Sequence, residues 1–137
     1  MKLKFFVVIF LCFIIENTHA QNKDSLSFLL LKIKKIEYSA KNEAYFIYAK
    51  SNKPKKNFFI LSPVSRETQL FTQLSPIKKR KSYLFKIEYL DKAHMILGSG
   101  AIYNVFDTKI VLKEEHTWYG EIVIAHNLFG IYYEQIP

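Results

Sequence analysis

The sequence predicts a single small domain that is mostly β, folded as a barrel or a sandwich. Tyr83, Phe85, Ile87 and Tyr89 alternate with Leu84, Lys86, Glu88 and Leu90, and this period of two sets four large groups on one side of an extended chain. Short runs rich in aromatic and β-branched residues, Tyr45–Tyr48 and Phe58–Leu61, recur between polar stretches marked by proline and asparagine. There is no internal repeat, no low-complexity linker and no sign of a second domain in the 137 residues.

The first 20 residues read as a secretory signal peptide. Lys2 and Lys4 open it, Phe5–Ile15 is an unbroken apolar run of 11 residues, and Thr18-His19-Ala20 gives a small-x-small exit before Gln21. A spanning helix needs about 20 apolar residues, so the run is short for an anchor. Cys12 lies inside the apolar run without a lipid-attachment pattern and reads as filler. Cleavage would leave residues 21–137 as one β-rich domain, exported to a periplasmic or extracellular location, with no transmembrane anchor. That domain has a formal charge of +7 and no cysteine. These features exclude a multidomain enzyme, a disulfide scaffold, a thiolate metal site, a cysteine nucleophile and a protein of several membrane-spanning helices.

Along the mature chain, residues 21–27 are polar and read as a loose start. Leu29, Leu31 and Ile33 share one parity while Ile36 and Tyr38 share the other, which predicts a strand with a bulge at Lys34-Lys35. The Tyr45–Tyr48 and Phe58–Leu61 runs predict two more strands, separated by a turn over Lys50–Lys56. Ser65 is suited to cap a helix over Arg66–Leu74, with Glu67 in its first turn and Pro76 as a stop. The strand from Tyr83 follows. Gly98-Ser99-Gly100 reads as a turn, and strands are expected over Ala101–Phe106, Lys109–Leu112, Trp118–Ala125 and Ile131–Gln135.

This order of three strands, one short helix and further strands resembles an OB-type barrel over about residues 28–90. The resemblance is one of architecture and rests on no motif. The strand signals after residue 91 exceed the needs of a minimal five-stranded barrel.

Two basic clusters are the main functional candidates. Lys53, Lys55 and Lys56 share one predicted loop, and Lys78-Lys79-Arg80-Lys81 another, with Phe58, Phe59 and Tyr83 close by in sequence. Positive charge beside aromatic rings is a footprint of single-strand nucleic-acid binding. Export argues against a nucleic acid, and so does the use of only two arginines among 20 basic residues, because the guanidinium fork makes the bidentate phosphate contacts. The lysines also read as solvated loops that keep the protein soluble and guard strand ends. The candidate contact residues are therefore Lys53, Lys55, Lys56, Lys79, Arg80 and Tyr83, facing a protein, an anionic polymer or an envelope surface, with specific nucleic acid disfavoured.

Other chemistry finds little support. His94, His116 and His126 show no metal-ligand spacing, so no metal and no cofactor is expected. In Gly98-Ser99-Gly100 the glycines flank the serine directly, whereas the hydrolase elbow needs Gly-x-Ser-x-Gly. An alternative is a small hydrolase or metal-assisted enzyme that uses His94 or His116 with a nearby carboxylate. Another is a structural component of a secreted assembly, pairing through exposed strand edges. Separately, Tyr132 and Tyr133 are adjacent on a predicted strand, so one faces outward or against another element and is a candidate contact residue. The expected function is that of an exported, non-enzymatic binding domain; its oligomeric state is left open.

Overall fold

A computed structural model of the chain describes residues 26–67, 74–90, 95–96 and 100–137. The expected signal peptide, His94 and most of the Gly-Ser-Gly turn lie outside these residues. The strands are β1 (Ser27–Ser39), β2 (Ala44–Asn52), β3 (Lys55–Pro63), β4 (Ser75–Pro76), β5 (Ser82–Tyr89), β6 (Met95–Ile96), β7 (Gly100–Val105), β8 (Thr108–Leu112), β9 (Glu121–Ala125), β10 (Leu128–Phe129) and β11 (Tyr132–Tyr133). A single-turn helix, α1 (Glu114–Thr117), precedes β9.

Strands β1, β2, β3, β9 and β5 close into a barrel in that order. Of its pairings only β3 with β9 is parallel. Counting barrel strands alone, the spatial order is first, second, third, fifth, fourth and back to first. This is the arrangement expected of an OB-type barrel, a five-stranded Greek-key fold. The hairpin β7–β8, with β6 on its edge, and α1 are inserted between the fourth and fifth barrel strands. That insertion accounts for the extra strand signals beyond residue 91.

The bulge falls where the parity change predicts it. The β1–β2 register shifts between Ile33 and Lys35, so Ile33 and Ile36 both turn toward the barrel interior. Inside the barrel Leu31, Ile33, Ile47, Phe58, Ile60, Phe85, Ile87 and Val123 form one core. The opposite faces of β2, β3 and β9 are buried as well. Phe46, Phe59, Leu61, Ile122 and Ile124 pack beneath Tyr103, Val105, Ile110 and Leu112 of the insertion. Burial on both faces explains why Phe58–Leu61 and Ile122–Ala125 are unbroken apolar runs, while β5, with one wet face, alternates.

Three polar side chains tie the layers together. Asn127 is buried and fully satisfied. Its Oδ1 accepts from Lys86 N–H at 2.9 Å, and its Nδ2 donates to the carbonyls of Leu84 and Glu134 at 3.0 Å each. Asn42, in the β1–β2 loop, behaves toward Val111 as a strand neighbour would, accepting its N–H at 2.8 Å and donating to its carbonyl at 3.1 Å. Arg66 lies over the rings of Phe106 and Phe129 and donates to the carbonyls of Leu128 and His126.

The predicted helix does not begin as expected. Val64–Arg66 forms one 3-10 turn with Ser65 inside it, and Glu67 is already extended. Ser65 caps nothing and instead bonds Thr108 Oγ1 at 2.9 Å, while Arg66 and the Glu67 carboxylate turn to partners around residues 125–131. Tertiary contacts outweigh the local capping preference there; residues 68–73 lie outside the described part. The strand expected from Trp118 starts only at Glu121, because Glu114–Thr117 takes the helical turn. The strand expected over Ile131–Gln135 is reduced to Tyr132–Tyr133.

Candidate anion-binding face

The outward side chains at one end of the barrel are cationic because of register. Lys32 on β1 is directly opposite Ser82 on β5 and Lys50 on β2, and Lys50 is opposite Asn57 on β3. A row of Ser82, Lys32, Lys50 and Asn57 thus crosses four neighbouring strands. The β2–β3 hairpin extends the row outward. Lys55 pairs with Asn52, Lys53 is at the tip, and the buried Ser51 hydroxyl donates to the Pro54 carbonyl and holds the tip in shape. On the other side, the turn before β5 is bound to β1, with Arg80 N–H donating to the Ile33 carbonyl at 2.8 Å and Ile33 N–H to the Lys81 carbonyl at 2.9 Å. Along β1 the two predicted loops therefore lie on opposite sides of the Lys32 row: the hairpin runs toward Leu30 and Phe28, whereas Lys79 and Arg80 sit in the turn beyond Ile33 and do not line the hairpin groove.

Lys53, Lys55, Lys56, Lys79 and Arg80 are all exposed. Tyr83 has a different setting: it is half-buried, its ring contacts Phe85 and Tyr133, and its hydroxyl accepts the Lys78 N–H at 2.8 Å. Lys32 and Lys50 were not evident from the sequence, since they look like ordinary polar alternates until the β1–β2 register opposes them. Among the described residues the one lysine–carboxylate ion pair is Lys35 with Glu37, so the lysines of this end have no carboxylate within 4.0 Å there. Directly opposed like charges cost stability in a sheet, and their potentials add toward any approaching anion.

A groove of about 330 Å³ lies between the hairpin tip and the start of β1. Lys32, Lys50, Lys53, Asn52 and Ser82 line it together with Phe28 and Leu30. The outward face of β2 and β3 away from the hairpin is closed. The His116 ring stacks on Phe59 with centroids 5.9 Å apart and planes 8° from parallel, and Tyr119 meets Tyr48 edge-on at 4.8 Å. In OB-type barrels this sheet face is a common ligand platform; here the chain's own insertion occupies it.

A larger cleft of about 580 Å³ lies between the β1–β2 loop and the end of β8. Glu37, Lys41, Asn42, Lys113 and His116 are among its lining residues. His116 Nδ1 accepts the Lys113 N–H at 3.1 Å. The Lys35 ammonium beside Glu37 holds its carboxyl below the ordinary range, helped by the Tyr48 hydroxyl bond of 3.1 Å. Burial, reinforced by that carboxylate, pushes Tyr48 up to about 12. The cleft's carboxylate and imidazole are thus hydrogen-bonded to other partners, Tyr48 and the Lys113 N–H, while the charge of His116 acts on Glu37 through space. His126, in the turn after β9, meets Glu88 at 2.7 Å on the surface. Among the described residues no group of three or more His, Cys, Asp or Glu side chains is placed to hold a metal ion.

No family model, no curated protein and no solved structure matches this chain.

Proposed function

We propose that the protein is an exported, non-enzymatic binding domain whose basic barrel end holds a partner with closely spaced negative charges, such as an anionic polymer or an envelope surface. The observation that carries this reading is the row in which Lys32 and Lys50 oppose each other across β1 and β2, flanked by Ser82 and Asn57, with Lys53 and Lys55 on the adjoining hairpin. An anion bridging the two ammonium groups would relieve their repulsion, and the hydroxyl and amide neighbours would supply further polar contacts. The insertion covers the outward face of β2 and β3 away from the hairpin and leaves the Lys32–Lys50 row uncovered.

Retention on immobilised heparin across a salt series tests the reading. The wild type is expected to stay bound above about 150 mM salt with a steep salt dependence. The triple variant K32Q/K50Q/K53Q is expected to elute well below it. Elution of the wild type below about 150 mM, or an unmoved triple variant, would overturn the proposal.

A further inference from the structure

We infer that the partner of this basic end is an anionic bilayer surface, on which Phe28, Leu30 and Leu84 enter the acyl boundary while Lys32, Lys50 and Lys53 meet the headgroups. The inference rests on the anion-binding reading and deepens it by naming the partner. Phe28 and Leu30 alternate with Lys32 along the outward side of β1, and Leu84 of β5 is directly opposite Leu30. The three apolar side chains keep 55%, 62% and 37% of their surface exposed. Inside the barrel end, by contrast, Leu31 and Ile33 are fully buried. The strand therefore has an apolar outward stretch for which the core has no use.

A soluble polyanion would contact the lysines and leave Phe28, Leu30 and Leu84 in water. A lipid surface satisfies both halves of the patch. Leu30 and Lys32 are two residues apart, about 7 Å along a strand. The polar layer on each side of a bilayer is on the order of 5–7 Å deep, so this spacing suits Lys32 at headgroup level with Leu30 and Leu84 just beneath, while Lys86, directly opposite Phe28, has to reach back to the headgroups along its aliphatic stem. Positive charge supplies attraction to anionic lipid and the apolar groups supply depth, the two-part logic of peripheral membrane attachment. The groove between the hairpin tip and β1 brings both kinds of wall to one place.

The test is co-sedimentation with vesicles of phosphatidylcholine alone and of phosphatidylcholine mixed with phosphatidylglycerol, run beside heparin retention, with all variants starting at the same N-terminal residue. The wild type should bind the mixed vesicles and not the neutral ones. F28S/L30S, and separately L84S, should weaken vesicle binding about tenfold while leaving heparin elution unmoved. K32Q/K50Q/K53Q should weaken both, by about fivefold per lysine on vesicles. Equal binding to neutral vesicles, or vesicle binding unchanged in both apolar variants, would overturn the bilayer assignment while lysine-dependent heparin retention left the broader reading standing. Loss of heparin retention in the wild type would remove the broader reading itself. Association that grows with protein concentration and disappears in F28S/L30S would assign the face to a second copy and overturn the bilayer proposal.

Discussion

At the scale of single residues, the Lys35–Glu37–Tyr48 group shows how a partly exposed cluster records its surroundings in its titration. The neighbouring ammonium lowers Glu37 from the ordinary carboxyl value of 4.5, so its contribution to stability is complete above that pH and is lost as pH falls through the lowered value. Tyr48 is raised, so its contribution is present below pH 10 and is lost as pH climbs toward 12. The urea midpoint of E37Q is expected to fall below that of wild type at neutral pH and to converge on it in acid. The gap should be no more than about 1 kcal/mol, because water screens the pair. Parallel pH curves for the two proteins would show that Glu37 titrates as a free carboxyl. None of this was legible from the sequence: Lys35 and Glu37 follow the bulge as unremarkable polar alternates, and Tyr48 reaches Glu37 only through the β1–β2 register.

At the scale of elements, strands were readable where one physical cause dominated. The β5 alternation follows from one wet face, and the bulge in β1 fits a parity change that the helical spacing of Leu29, Ile33 and Ile36 also fits, so that only the pairing of β1 with β2 and β5 decides for the strand. The helix expected after Ser65 shows the converse. A capping serine and a first-turn glutamate are weak local preferences, and Arg66 gains more by bonding the carbonyls of the β9–β10 turn. The α1 turn was hidden because four residues cannot display helical periodicity. Gly120 marks the most demanding junction between elements. A Cβ there would overlap the Asn57 carbonyl, so its lack of a side chain lets the chain enter β9 against β3. G120A is expected to cost at least about 2 kcal/mol in urea unfolding, since backbone must move in the parallel pairing of Phe58–Ile60 with Glu121–Val123. A loss of under about 0.5 kcal/mol would show that the contact relaxes freely.

At the scale of the whole molecule, the barrel order followed from counting strands and placing an interruption between the third and fourth. The role of the later strands did not follow, because a segment that packs on the outside of a barrel carries the same alternation as one that completes it. The candidate site was half legible. The hairpin lysines and the Lys79-Arg80 turn stood out as charge runs, whereas Lys32 and Lys50 join the hairpin lysines through pairing alone, and Phe28 and Leu30 were not singled out. The insertion closes one sheet face with its own histidine and tyrosine and leaves the Lys32–Lys50 row uncovered, the surface on which the proposed anion would land. Amide chemical-shift mapping with a soluble heparin-type polyanion tests that claim most directly. Shifts centred on Lys32, Lys50, Asn52, Lys53 and Ser82, with Tyr103, Ile110 and His116 unmoved, are the predicted result. Shifts centred on the cleft of Glu37, Asn42 and Lys113, or spread evenly over the surface, would contradict it.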